Sequence, residues 1–254
     1  MTHCGAPDLD FSSVHTTRLQ DRPSKVTLND FGQPWALGGS FNDFMSRLPQ
    51  VLAASHLKGV VSALVEAKRQ QRMVILAMGA HPVKVGLNPI IIDLLRRGLI
   101  TVLAFNGAVV VHDTEVALAG KTSETVEAGI DSGDFGVTQE TGSMVNRAIK
   151  SGAGQGLGLG AAVGQRLLES DCPHNEFSLL AQSVKLGRPA TVHVALGTDV
   201  IHIHPEVDGA ALGQTCLTDF RTFASRVAQL DGGVLINLGS AVIMPEVFLK
   251  ALTL

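Results

Sequence analysis

Four short apolar runs govern what this chain can fold into. They are MVILAM (73–78), LITVLAF (99–105), ATVHVALG (190–197) and VLINLG (234–239). Each is continuous rather than alternating, so each reads as a strand buried on both faces. Helical patterns separate them: PIIIDLLRRG, opened by Pro89 and stopped by Gly98; residues 107–118; EFSLLAQSVKLG (176–187); and TDFRTFASRVAQLDGG (218–233). Strand, helix, strand in this order calls for parallel pairing with right-handed crossovers. The predicted fold class is α/β, a Rossmann-like parallel sheet flanked by helices. Apolar residues make up 45% of the chain and aromatics only 4%, so the core must be aliphatic.

The predicted organisation is an N-terminal arm over 1–39 and one Rossmann-like domain over 40–254, with a helical lead-in over 40–72. The arm is rich in Pro, Gly, Asp and Ser, and an oligomer contact is expected of it. In the lead-in, Phe41, Phe44 and Leu48 keep helical spacing, and Pro49 and Gly59 are expected to split it into two or three helices. Further helical stretches are expected around SETVEAG and ETGSMVNRAIKSG. The last pattern, VFLKALTL, runs to the final residue.

With a net charge of -3 and no basic stripe, nucleic acid is not an expected partner. No apolar run is long enough to span a bilayer. Cys4, Cys172 and Cys216 are too few and too scattered for a disulfide framework or a Cys-x-x-Cys site, which suits a reducing, cytoplasmic setting.

The strand candidates end in Gly79-Ala80-His81, Asn106-Gly107, Gly197-Thr198-Asp199 and Asn237-Leu238-Gly239-Ser240. In a parallel sheet these turns gather beyond the carboxyl ends, where ligands bind. Glycines Gly154, Gly156 and Gly158 suggest a dinucleotide loop, but a helix rather than a strand precedes them, so a tight connector is the preferred reading. A phosphate at the start of the helix over 161–169 stays open. In GAHPVKVGLNP, His81 and Lys84 follow a strand end directly, and Lys84 suits an anion partner, a base or an imine-forming amine. His112, Asp113 and Glu115 follow the second strand; they read either as base and acids or as the acid-rich start of a helix. His202 and His204 lie two apart, on one face if the backbone is extended, with Asp208 and Gly209 close behind. They read as a hydrogen-bonded ligand site, with a divalent metal as the alternative. His193 reads as a satisfied core histidine.

GAHPVKVGLNPIIIDLLRRGLITVLAFNGAVVVHDTEVALAGKTSE resembles the nicotinamide-adenine-dinucleotide (NAD)-binding core of deoxyhypusine synthases, and its Asn-Gly then His-Asp-x-Glu order is similar to ornithine-cyclodeaminase-type domains. RPATVHVALGTD, DGAALG and GGVLINLGSAV extend the resemblance over about 73–250. The chain looks like a bacterial deoxyhypusine-synthase-like branch that lacks the catalytic lysine: Gln229-Leu230-Asp231-Gly232 stands where that family has one. The Trp-Gly-Lys signature is also missing. The resemblance implies bound NAD, a homotetramer, and chemistry on a small amine or amino acid other than true deoxyhypusine synthesis. On these grounds the catalytic candidates are His81, Lys84, His112, Asp113 and His204. The cofactor candidates are Gly79, Asn106, Gly107, Ala108, Asp199, Asn237, Gly239 and Ser240. The substrate candidates are Glu115, Thr198, His202, Asp208 and Gly209. Two other functions stay open: a metal-dependent hydrolase or lyase on His202, His204 and Asp208, and a non-catalytic ligand-binding or scaffold protein.

Overall fold

The computed structural model describes residues 9–126, 133 and 135–254. The chain divides into two compact units, residues 1–61 and 62–254.

The first unit holds three 3-10 turns, Phe11–Ser13, Leu19–Asp21 and Leu28–Asp30, then helix α1 (Phe41–Arg47). Local caps define them. Asp30 accepts from the Thr27 amide at 2.8 Å, and Asp43 accepts from the Ser40 amide and hydroxyl at 3.0 and 2.7 Å. None of its described residues is buried, and Phe11, Leu28, Leu37 and Phe41 stay exposed. Helix α2 (Leu52–Arg69) follows and runs past Val61. The expected break at Gly59 does not occur: a mid-helix glycine costs only about 1 kcal/mol, which an 18-residue helix absorbs even with Val60 and Val61 following it.

The second unit is built on four strands: β1 (Val74–Met78), β2 (Val102–Asn106), β3 (Ala190–His193) and β4 (Val234–Leu238). All pair in parallel, in the order β3-β2-β1-β4. The α/β expectation is met. Because successive side chains alternate faces, Leu76, Met78, Leu103, Phe105 and Val192 feed one core and Ile75, Ala77, Val102 and Ala104 the other. Both faces of the central β1 and β2 are covered, which is why they read as apolar runs. Strand β3 buries the polar Thr191 and His193, and β4, expected to be buried on both faces, is an edge strand only partly buried, with Asn237 and Leu238 exposed.

On the first face lie α3 (His81–Lys84), α4 (Asn88–Arg96), α5 (Gly107–Ala119), α6 (Gln139–Gly154), α7 (Leu159–Glu169) and α8 (Leu179–Lys185). Helices α9 (Gly209–Val227) and α10 (Ile243–Ala251) supply Phe223, Val227, Met244 and Ala251 to the second. Helix α9 begins nine residues before the predicted start at 218, because Asp208 caps the Ala210 and Ala211 amides at 3.0 Å each. The predicted strand over 190–197 ends at His193. The SETVEAG stretch falls partly outside the described residues.

The path from β1 to β2 to β3 steps one way across the sheet, and the connection through α9 then returns beyond β1 to β4. The direction therefore reverses between β1 and β4, the position at which open α/β sheets take their ligands.

The glycine-rich connector is a packing device. A Cβ at Gly158 would overlap the Asp219 carboxylate, and one at Gly160 would overlap the Ala190 carbonyl oxygen. Asp219, on α9, is buried and accepts from the Gly160 amide at 2.9 Å and the Val192 amide at 2.8 Å. The phosphate left open for this helix start is thus replaced by the chain's own carboxylate. Burial pushes the Asp219 carboxyl up to about 7, against the pull of its backbone donors.

Candidate functional site

The strand-end turns do meet. The Gly79 amide donates to the Leu238 carbonyl at 3.1 Å, and a Cβ at Gly79 would overlap the Gly239 carbonyl oxygen and stand 3.5 Å from Asn106 Nδ2. Gly239 has φ +73°, a left-handed turn with Pro82 Cδ 3.4 Å from where its Cβ would be. Across the sheet, a Cβ at Gly107 would overlap Asp199 Oδ2, so the turn after β2 lies directly under the loop after β3. Asn237 donates to the Ser240 carbonyl at 2.8 Å, and the Ser240 hydroxyl accepts from Met244 N at 3.2 Å, which fixes the turn after β4 to the start of α10.

Beyond this edge lies a cavity of about 160 Å3 with Lys84, Ala108, His112, Glu115, Thr198 and Asp199 in its wall, all six anticipated from sequence. Ser123 and Glu124 also line it. Glu115, Ser123 and Glu124 are shared with a second cavity of about 690 Å3 that adds Lys121 and Glu140. Acids outnumber lysines in these walls, so the space suits a cationic guest.

The wall contains a relay. His112 Nδ1 lies 2.7 Å from the Thr122 hydroxyl, that hydroxyl donates to Glu115 Oε2, and His112 Nδ1 is 3.6 Å from the same oxygen. Since the hydroxyl is committed to the carboxylate, it accepts from Nδ1–H. The network thereby assigns the tautomer and leaves Nε2 as the basic nitrogen. Burial raises the Glu115 carboxyl, but hydrogen bonds with His112 and Thr122 outweigh it and hold the group below its usual range. Burial pushes the Asp199 carboxyl up, opposed by the nearby His202 and the Thr198 hydroxyl. The carboxylate-anchored imidazole and the Asp199 carboxyl line the same cavity, an arrangement suited to acid–base work.

Other candidates are placed elsewhere. Asp113 is buried on the far side of α5, where it accepts from Ser178 Oγ (2.7 Å), Leu179 N (2.7 Å), Leu180 N (3.0 Å) and Asn88 Nδ2 (3.2 Å). It fastens the start of α8, and burial pushes it up to about 6. The extended backbone assumed for His202 and His204 is absent, because Val200–His202 form a 3-10 turn. His202 folds back, its Nδ1 accepting from Gly197 N and Asp199 N at 3.1 and 3.2 Å. His204 is buried against Gly142 of α6, where a Cβ would overlap its ring. Asp208 and Gly209 form the cap of α9. Among the described residues no three His, Cys, Asp or Glu side chains gather to hold a metal. His81 is exposed at the first position of α3. His193 is a core histidine, 3.0 Å from Thr191 Oγ1, with burial pushing it down to about 4.

Thr122 and Asp219 went unrecognised in the sequence. Thr122 had one usable signal: Gly120, at φ +65°, turns the chain at the end of α5. Asp219 had a better one, sitting on the apolar stripe it shares with Phe223 and Val227, where a bare carboxylate does not belong.

No family model matches the sequence, and no curated protein does. Solved structures do resemble the fold. A provisionally assigned deoxyhypusine synthase from Entamoeba histolytica superposes with a TM-score of 0.51 at 12% identity, covering 84% of this chain and 79% of its own. A cysteine-to-alanine mutant of AgrE in complex with L-arginine gives 0.50 at 15% identity, over 82% of this chain and 28% of that one. ArgZ, an arginine dihydrolase of the cyanobacterial ornithine-ammonia cycle, gives 0.49 at 14%, over 80% and 26%. The chain thus spans little more than a quarter of the two arginine proteins. At these identities the likeness is one of fold. Among the described residues no helix is long and apolar enough to cross a membrane.

Proposed function

We propose that this chain is a deoxyhypusine-synthase-like enzyme that binds a nicotinamide dinucleotide and acts on a small amine or amino acid. One observation carries the reading: Lys84, His112, Glu115, Thr198 and Asp199 line a single cavity at the carboxyl edge of a parallel sheet. The strand-end crevice fits a cofactor in one specific respect. Asn106 Oδ1 is buried without a partner among the described residues, an acceptor that a carboxamide N–H would satisfy. Gly79, Asn106, Gly239 and Ser240 would hold it, and when bound the dinucleotide supplies a hydride acceptor. The chain's own residues do the rest. Glu115, Glu124 and Asp199 hold an ammonium group, and His112 Nε2 takes a proton from it. Lys84, the lysine of the smaller cavity's wall, is the candidate amine. Positions 229–232 precede β4 and so stand at the sheet's opposite edge, so the missing lysine there leaves this cavity unaffected.

The test is a thermal shift with NAD+, followed by absorbance at 340 nm while a panel of small diamines and basic amino acids is added. A hundredfold excess over Kd should raise Tm by about 5 °C or more. His112→Ala should lower turnover by roughly 10²–10⁴-fold. Thr122→Val should cost about tenfold, on the principle that the relay only orients the base, with Thr122→Ser restoring it. No shift at millimolar cofactor removes the dinucleotide from the reading.

A further inference from the structure

The opposite, amino-terminal edge of the sheet carries a second concave site of contrary charge. Two adjoining cavities of about 250 and 340 Å3 share Gln71, Arg72, Thr101 and Arg188; Lys68 lines the first and Arg226 the second. No acidic side chain lines either one, although the whole chain is net negative at -3. Lys68 and Arg188 converge: Lys68 Nζ and Arg188 Nη2 lie 3.1 and 3.4 Å from the point where a Gly98 Cβ would stand.

Helix ends explain part of this cluster. Cations favour helix C-termini, and Lys68 donates to the Arg97 and Gly98 carbonyls at 2.9 and 3.2 Å at the end of α4. That account covers Lys68 and also Arg226, in the last turn of α9, but not Arg72 or Arg188. Arg72 and Arg188 lie outside the helices, and neither they nor Arg226 make a side-chain hydrogen bond or ion pair among the described residues. Arg188 and Arg226 are also half-buried and line the same cavity. Some other arginines of the unit find partners, Arg97 with Asp93 and Arg147 with Glu206, while Arg166 and the exposed Arg221 find none among the described residues but line neither of these two cavities.

We infer that this cleft is an anion site for a small polyphosphate-bearing molecule. Guanidinium forks match phosphate oxygens two at a time. Three of them and an ammonium, spread over two joined cavities, suit a chain of phosphates better than a single one. The site is separate from the carboxyl-edge cavity and does not rest on the function proposed for it.

The experiment measures Tm of the full chain with inorganic tripolyphosphate, orthophosphate or citrate, at fixed ionic strength. Tripolyphosphate should raise Tm by about 5 °C at hundredfold excess over Kd, with orthophosphate at least tenfold weaker. The R188A/R226A double variant should lose the shift, whereas Arg221→Ala, which changes an exposed arginine on α9 outside the cleft, should keep it. Without ligand, the double variant should melt no lower than the parent, because like charges have been removed; a purely structural role predicts a fall. An equal response to citrate overturns the phosphate assignment. An equal response in the double variant, or none at 5 mM, overturns the site; these concentrations are roughly those at which weak anion binding saturates.

Discussion

Asp219→Ala should lower stability by about 4 kcal/mol, near 10 °C in Tm for a unit of this size. The reason lies at the junction of three elements. One carboxylate on α9 receives the Gly160 amide at the start of α7 and the Val192 amide inside β3. Alanine leaves those donors buried and unpaired, at about 1–3 kcal/mol each. The same group gives the protein a pH signature. Its folded value is raised to about 7 from an ordinary value near 3.8, and Asp113 is raised to about 6. A carboxyl raised on folding prefers its proton in the native state. Its contribution is fully present below the unfolded value and is lost as pH climbs through the folded one. The Asp219 and Asp113 contributions therefore fall between about pH 4 and pH 8, with Asp219 alone accounting for up to about 4 kcal/mol at 1.36 per unit. His193, lowered to about 4, works the other way up to about pH 6.5, so the net fall in melting temperature should be clearest between about pH 6.5 and pH 8. Asp219→Asn should flatten that slope while retaining part of the hydrogen bonding. Urea denaturation at pH 5 and pH 8 decides it: parallel pH slopes for parent and Asn variant would refute the assignment.

Gly160→Ala should cost about 3 kcal/mol or more, because the new methyl has nowhere to go. It would overlap the Ala190 carbonyl oxygen and lie 2.8 Å from the carbonyl carbon, both backbone atoms that no rotamer can move. Gly213→Ala is the control. Gly213 lies within α9 with nothing within 4 Å of its Cβ position, so alanine there should gain about 0.5–1 kcal/mol through helix propensity. Opposite signs from one substitution at two helical glycines would separate packing from propensity. A neutral result at Gly160 would mean that α7 does not press on β3.

How much of this was readable beforehand follows from what each signal depends on. Strands β1 and β2 were legible because burial on both faces keeps them almost wholly apolar, and β3 and β4 because isolated polar residues, Thr191, His193 and Asn237, leave the apolar pattern readable. The turns at Gly79, Gly107, Asp199 and Gly239 were legible as a rim because a parallel sheet puts all carboxyl ends on one side. The start of α9 was obscured by Gly209 and Gly213, poor helix formers that outweighed the Asp208 cap. The roles of His202 and His204 were misjudged because spacing of two means a shared face only in extended backbone, and the chain coils there instead. Asp113 and His112 are neighbours in sequence, yet a helix turns them about 100° apart, so one reached the cavity and the other the core. The Thr122 contact depends on where the chain goes after Gly120, which spacing alone does not determine.

The clasp at Asp219 also limits how the molecule can breathe. Helix α7, strand β3 and helix α9 share one hub, so they shift as a block or not at all. Accommodation of an incoming guest then falls to stretches outside that block: residues 79–84, 121–126 and 194–203. The fastest amide exchange near the cavity should map to those three stretches, and the path by which a ligand enters should run between them.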